Sequence, residues 1–355
     1  MALLWIEGFE GLGTSVDSAL PASGDVFARK YANLSGSMSS VYLRAGRLAG
    51  YSVQGTYNVT AYFRTPILPN ASMTAIQGLG FKPNVTGSGA WPVIMRFISS
   101  YAYAGLGVNL YYDSASHEIK VYMGASTLLG TSSGANITSA GWSYVETKVT
   151  VGYYGSIEIR VNGSTVYTQI NVDTRPGGYN NAYDQFGWEF SGGARPAFYD
   201  DWYVCNNAGT SNNDFLGDCK VVAVYPVSDA GANQWTPSGG SSHNALVADN
   251  PANDDTSYLE SSTSGQKELW GFGTLSGLGS IVGVQVNTDV RETDGTSHSL
   301  RTLVSSGATE SEDTGQAVGL QAYVTKARVV ALNPDNSQPW TVTSLNAAKF
   351  GIKVG

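Results

Sequence analysis

The chain has 355 residues, enough for about two ordinary domains, and its 14% charged residues, 43 glycines and 21 tyrosines favour strands and turns over exposed helices. A formal charge of −8 without any Lys/Arg cluster excludes the electrostatic footprint of a nucleic-acid binder, so no nucleic-acid partner is expected. No apolar run approaches the ~20 residues needed to cross a bilayer, so no membrane partner is expected either.

MALLWIEGFE has neither a basic n-region nor a full h-region, and no secretion signal is read there. Asn-X-Ser/Thr triplets start at Asn33, Asn58, Asn70, Asn84, Asn136 and Asn162 and are read as chance products of an Asn/Ser/Thr-rich composition. LLWIEGFEG is the first strand-like segment. YNVTAYFRT (57 to 65), WPVIMRFISS (91 to 100), GLGVNLYYD (105 to 113), HEIKVYMG (117 to 124), SYVETKVTVG (143 to 152) and SIEIRVNGSTVYTQINV (156 to 172) follow, alternating or rich in β-branched and aromatic residues. Asn162-Gly163 predicts a type I′ hairpin, because both residues tolerate positive φ. Ile157, Ile159 and Val161 then share a dry face and Glu158 and Arg160 a wet one. FYDDWYV (198 to 204) closes the first unit and is expected to pair with the N-terminal strand.

NNAGTSNN (206 to 213) is read as the linker, every residue being small or turn-forming. Strands restart at CKVVAVYPV (219 to 227), and the polar passage 234 to 265 is expected to wrap the surface. KELWGFG, SIVGVQVNTDVRE, HSLRTLVSSG, GLQAYVTKARVVAL and KFGIKV complete the pattern, with one short helical turn expected in TSLNAAKF (343 to 350). The fold class is all-β: two tandem antiparallel β-sandwich, jelly-roll-like domains at 1–205 and 214–355, joined by 206–213.

GWSYVETKVTVGYYGSIEIRVNGSTVYT (141 to 168) resembles the Trp-x-x-Val…Gly…Val-Asn-Gly signature of laminin-G-like, concanavalin A-like jelly rolls. Trp142, Tyr144, Val145, Gly155, Ile157, Ile159, Val161, Asn162 and Gly163 carry the resemblance, with FYDDWYV as the closing strand. The C-terminal part is similar to uncharacterised structural proteins of tailed bacteriophages, through Asn213 to Asp218, Gln234-Trp235-Thr236-Pro237, Asn253-Asp254-Asp255-Thr256 and Asn346 to Gly351. That resemblance implies location in a virion after synthesis in the host cytoplasm, other virion proteins as partners, and a homo-oligomer obeying the particle's symmetry. It transfers no catalytic residue.

A glycosidase needs two carboxylates flanking the scissile bond, supplied on a strand by acidic residues two apart. Glu118, Glu158 and Glu189 have no acidic neighbour at that spacing, and Glu7 and Glu10 would face opposite ways. His117, His243 and His298 stand apart in polar settings and are read as surface residues, with no Gly-x-Ser-x-Gly elbow to accompany them. No cofactor is expected, with Ca²⁺ as the one candidate: Asp200, Asp201, Asp214 and Asp218 offer hard oxygen ligands. The competing reading of Asp200 and Asp201 has one facing solvent while the other bonds turn amides. Cys205 and Cys219 are read as free or buried thiols, or as a bridge across the seam.

Tyr101, Tyr103, Tyr111, Tyr112, Tyr153, Tyr154, Tyr179 and Tyr183 fall near strand ends and loops. The segment RPGGYNNAYDQFGWEF (175 to 190) shows no strand pattern and is taken as a contact loop, with Tyr179, Tyr183, Phe186 and Trp188 as the contact surface. The expected function is non-enzymatic: a virion surface component, fibre, collar, tail tip or capsid decoration, that docks onto other proteins. The alternative is an adhesin binding host surface polysaccharide, and a polysaccharide-degrading enzyme comes third.

Overall fold

The computed structural model describes residues 2–13, 29–36, 41–55, 61–84, 92–101, 107–190, 196–277, 279–296, 298–319 and 321–355; Asn58 and Tyr103 lie outside the described residues. The chain divides into two compact units, Met1–Val222 and Ala223–Gly355.

The first unit holds β1 (Leu3–Glu7), β2 (Ala32–Gly36), β3 (Val41–Ala45), β4 (Tyr51–Gly55), β5 (Ala61–Arg64), β6 (Thr74–Pro83), β7 (Val93–Ile98) and β8 (Val108–Asp113). It continues with β9 (Glu118–Met123), β10 (Thr127–Thr131), β11 (Ser143–Thr150), β12 (Gly155–Val161), β13 (Ser164–Val172), β14 (Gln185–Phe190) and β15 (Ala197–Asn206). One sheet has eight strands, in the order β13-β12-β11-β6-β15-β4-β3 with β1 alongside β15; the other has seven, in the order β10-β9-β8-β7-β14-β5-β2. The predicted hairpin is present: Asn162 and Gly163 have φ of 49° and 81°, and Val161 pairs with Ser164. The first strand pairs antiparallel with the last, Ile6 opposite Tyr203, as the sequence implied.

Inward-facing aromatic residues lock the two sheets together. Trp188 of β14 stacks on Phe63 of β5 at 4.0 Å and on Tyr199 of β15 at 4.3 Å, and Phe81 of β6 meets Tyr112 of β8 at 5.9 Å. Each such pair adds about 0.5–1.5 kcal/mol beyond its burial. Gln77 of β6 ties the layers polarly, donating to the Arg96 carbonyl at 2.9 Å and accepting from Trp202 Nε1 at 3.1 Å.

Two expectations are corrected here. Residues 185–190 form a central strand in which every residue is buried, because β14 lies between β7 and β5 and is paired on both sides. Tyr183, Phe186 and Trp188 are each 1% exposed and belong to the core; of the proposed contact surface only Tyr179, at 62%, is open. The boundary between units also falls after Val222 and not at 206–213, since residues 214 to 221 are bonded back onto the first unit's eight-stranded sheet.

The second unit holds β16 (Pro226–Asn233), β17 (Thr236–Ser238), β18 (Tyr258–Glu260), β19 (Lys267–Phe272), β20 (Val284–Val290), β21 (Ser299–Ser306), β22 (Thr309–Glu312), β23 (Gln316–Ala317), β24 (Val324–Val330) and β25 (Lys349–Val354). Its main sheet runs β16-β19-β25-β21-β22, with β23 pairing β21. The ribbon β20-β24 brings Val284, Val286 and Val330 against Val304, Trp340 and Phe350. The polar passage is not purely superficial: Trp235, Val247 and Leu259 pack on Trp270, Leu300 and Ile352. The short helix α1 spans Val342–Ala347 and starts with a reciprocal Thr341–Ser344 capping box.

Candidate functional site

Side-chain alternation sorts the seven-stranded sheet into a core face and an outer face. Phe63, Trp188, Phe97, Leu110, Tyr112, Ile119 and Val121 point into the sandwich and are at most 1% exposed. The residues between them point outward, and the register aligns them in two rows across five strands. Arg64, Gly187, Arg96, Asn109 and Tyr122 make one row; Tyr62, Glu189, Val93, Tyr111 and Lys120 make the other.

Most charges in these rows are matched. Glu189, 5% exposed, holds Arg96 Nη2 at 2.6 Å, and Arg96 Nη1 donates to Asn109 Oδ1 at 3.1 Å. Asn109 is fixed in turn by its Nδ2, which donates to the Gly107 and Gly124 carbonyls, each at 2.9 Å. Lys120 pairs with Asp113 at 2.9 Å, and that contact together with the Ala115 amide and Ser116 hydroxyl holds the Asp113 carboxyl below its ordinary range despite burial. Tyr111 meets Tyr122 edge to face at 5.4 Å, and burial raises the Tyr111 phenol, so it stays protonated.

Arg64 is different. Its guanidinium lies 5.8 Å from the Tyr62 ring, its Nε is buried without a hydrogen-bond partner, and among the described residues it forms no ion pair. Arg96 Nε is orphaned in the same way. Burial and the nearby Arg96 charge both push Arg64 below its ordinary value. Gly187 separates the two arginines in the row, and a Cβ there would stand 2.1 Å from the Phe63 carbonyl oxygen, so the floor between the guanidinium groups is bare backbone.

The four aspartates singled out from the sequence lie elsewhere, where residues 214 to 221 form a strap over the outer face of the eight-stranded sheet. An extra residue in β15 at Asp200/Tyr203, with Asp201 at φ 49°, breaks the ladder against β6. Asp200 and Asp201 are both buried, 1% and 2% exposed, which corrects the expectation that one faces solvent. Asp200 accepts from the Arg47 amide at 2.6 Å, Asp201 pairs with the Arg47 guanidinium at 3.0 Å and accepts from the Val221 amide at 2.7 Å, and Asp218 pairs with Arg47 at 2.6 Å. Asp214 pairs with Lys148 at 2.8 Å. Three of the four carboxylates, Asp201, Asp214 and Asp218, thus hold cationic side chains of the same chain, while Asp200 is met by the backbone amides of Arg47 and Asp201. Phe215 lies under Lys148 and Arg160 at 4.7 and 4.1 Å, Leu216 N donates to Tyr203 Oη, and Gly217 N donates to Glu146 at 2.8 Å. Gly80 makes room for Arg47, whose Cδ would be 2.9 Å from a Cβ there.

Burial raises Asp200 to about 8 and the neighbouring Glu10 to about 9. Cys205 and Cys219 are free thiols, and burial raises both, Cys219 to about 12. In the second unit His243 is not a surface residue; it pairs at 3.0 Å with Glu268, which is fully buried. Glu292, Asp294 and His298 bring their ligating atoms within 4.8 Å of one another.

The two rows draw their residues from five strands, so no single strand of the sequence displays them. The alternation in HEIKVYMG and GLGVNLYYD did mark Lys120, Tyr122, Asn109 and Tyr111 as outward, but which strands stand side by side was not visible. No protein-family model and no curated protein matches the chain. Among solved structures, an alginate lyase, Aly36B, is similar at 11% identity, covering 57% of this chain and 96% of its own, with a TM-score of 0.41. Domain 4 of AbnA, an extracellular arabinanase from Geobacillus stearothermophilus solved with arabinotriose, is similar at 11% identity over 57% of this chain and 92% of its own, with a TM-score of 0.37. The Emp47p carbohydrate recognition domain is similar at 8% identity over 51% and 93%, with a TM-score of 0.36.

Proposed function

We propose that the first unit binds a saccharide chain laid across the outer face of the seven-stranded sheet and leaves it uncut. The observation that carries this reading is the pair of rows: aromatic bodies with polar tips (Tyr62, Tyr111, Tyr122) beside the Arg96–Glu189 pair, which the buried Asn109 helps to fix. Convergent polar groups among aromatic walls are the composition of a ligand site. Neighbouring strands lie about 4.8 Å apart, so five strands run roughly 19 Å, suited to several linked rings rather than one terminal sugar.

Binding without cleavage is favoured by the state of the ionisable groups. Glu189 and Asp113 are both held in ion pairs, Glu118 accepts from Ser132, Gly134 and Ala135, and Tyr111 keeps its proton. None of these stands as a free base beside a carboxylic acid, the pair that glycoside hydrolysis requires. Carried on a tailed-phage particle, as the C-terminal resemblance implies, such a unit serves as an adhesin for host surface polysaccharide, where multiple copies turn weak contacts into firm attachment.

A glycan array followed by calorimetry on the intact chain tests this. Tyr122→Ala and Tyr111→Ala are expected to weaken binding about tenfold each, the loss of one aromatic contact of about 1.4 kcal/mol. An array with no signal, or affinity indifferent to both substitutions, overturns the proposal. Unsaturated or reducing ends appearing on incubation with the bound polysaccharide would overturn the non-cleaving part.

A further inference from the structure

Resting on that reading, we infer that the saccharide is acidic and that it presents a carboxylate to Arg64 and Arg96 above Gly187. The rows contain three cations, Arg64, Arg96 and Lys120. Arg96 is answered by Glu189 and Lys120 by Asp113, while Arg64, though drawn by the same Glu189, has no ion pair of its own among the described residues. One positive charge on a half-buried face is left over, and one monoanionic group balances it.

Geometry narrows the anion. Two buried Nε–H donors without partners, one from each arginine, flank a residue with no side chain. A buried donor left unsatisfied costs free energy that a ligand acceptor would recover. A guanidinium presents its donors in a planar fork that a planar carboxylate matches with two parallel bonds. A neutral hydroxyl in that position could accept from the donors but would leave the charge. The mutual repulsion of Arg64 and Arg96, which already weakens the proton affinity of Arg64, is relieved by an anion between them.

The test uses the full chain and three kinds of probe: polyuronates (polygalacturonate, polyglucuronate and polymannuronate), the same polymers with their carboxyl groups reduced to alcohols, and a sulfated neutral polymer. At least one polyuronate is expected to bind ten-fold or more tightly than its reduced form, with the advantage shrinking as salt rises. Arg64→Gln is expected to abolish that advantage while retaining the affinity for the reduced polymer, and Arg64→Lys to keep part of it. Equal binding of acidic and reduced forms overturns the inference and leaves saccharide binding standing, as does a preference that survives Arg64→Gln. Tighter binding of the sulfated polymer than of any polyuronate overturns the carboxylate assignment. Failure of every polymer to bind takes down the saccharide reading, and the inference with it. Near-ultraviolet circular dichroism of each variant checks that it has folded.

Discussion

The outer faces of the first unit's two sheets use the same kinds of residue to opposite ends. On the eight-stranded sheet, Arg47 sits among Asp200, Asp201 and Asp218, its ring neighbour Tyr144 at 4.9 Å, and the strap closes over them. On the seven-stranded sheet, Arg64 sits beside Tyr62 with no ion pair of its own among the described residues, sharing the field of a Glu189 already bound to Arg96. The difference is one of charge closure. A buried arginine whose donors are all answered by its own chain holds a fold together, and one whose donors are left over is poised for something from outside.

Four substitutions and one chemical treatment would break or sharpen that contrast. The largest effect is expected for Arg47→Ala, which leaves Asp201 buried without its counter-ion and should cost about 3–5 kcal/mol in denaturant unfolding. Limited proteolysis should show faster cutting within 206–222, while saccharide affinity on the opposite sheet stays unchanged. A loss below about 1 kcal/mol would show that the strap does not depend on this pair.

The next effect is pH dependence. Asp200 and Glu10 titrate near 8 and 9 in the fold against ordinary values of 3.8 and 4.5, so the fold keeps two protons that the unfolded chain releases above about pH 4.5. Their contribution is complete below the ordinary carboxylate range and is lost as pH rises through 8 to 9. The melting temperature should therefore fall from pH 5 to 9 on their account, and Asp200→Asn should flatten the decline. A decline that Asp200→Asn leaves unaltered would place its origin elsewhere.

Arg64→Gln comes third. Removing an unanswered, half-buried cation should leave stability within about 0.5 kcal/mol of wild type or slightly above it, the reverse of Arg47→Ala. A loss of 2 kcal/mol or more, about the scale of a broken buried pair, would erase the contrast between the two arginines. Lys148→Ala, at the exposed Asp214 pair, should cost less than about 1 kcal/mol, read as a small shift in unfolding midpoint. Smallest of all, chelation of divalent cations should leave that midpoint unmoved, because Arg47 and Lys148 hold Asp201, Asp218 and Asp214 and backbone amides hold Asp200.

What was legible in the sequence was local. The Asn162-Gly163 turn, the inward set Ile157, Ile159 and Val161, and the short helical turn before β25 all follow from neighbours within a few residues. The pairing of LLWIE with the closing strand was also anticipated, from the need to bring first and last strands together. Misreadings arose where long-range pairing decides. QFGWEF lacks alternation, and so reads as a loop, because a strand with partners on both edges, one face in the core and the other recessed, can bury all six residues. NNAGTSNN has linker composition, but the residues that follow it are pinned by Glu146, Tyr203, Arg47 and Asp201, which lie up to 172 positions away in the sequence. The candidate face was hidden for the same reason: Arg64, Gly187 and Arg96 become neighbours only when β5, β14 and β7 align.

The strap is also the last stretch of chain before Ala223, where the second unit begins. Any mechanical load transmitted along the backbone from that side reaches the Val221–Asp201 bond first, then the Cys219 and Asp218 contacts with Arg47, then Gly217 and Leu216. These contacts would yield one after another, like a zipper, each freed residue paying out up to about 3.5 Å of slack while the sandwich beneath stays intact. Under pulling, the segment that seals the sheet thus doubles as a shock absorber.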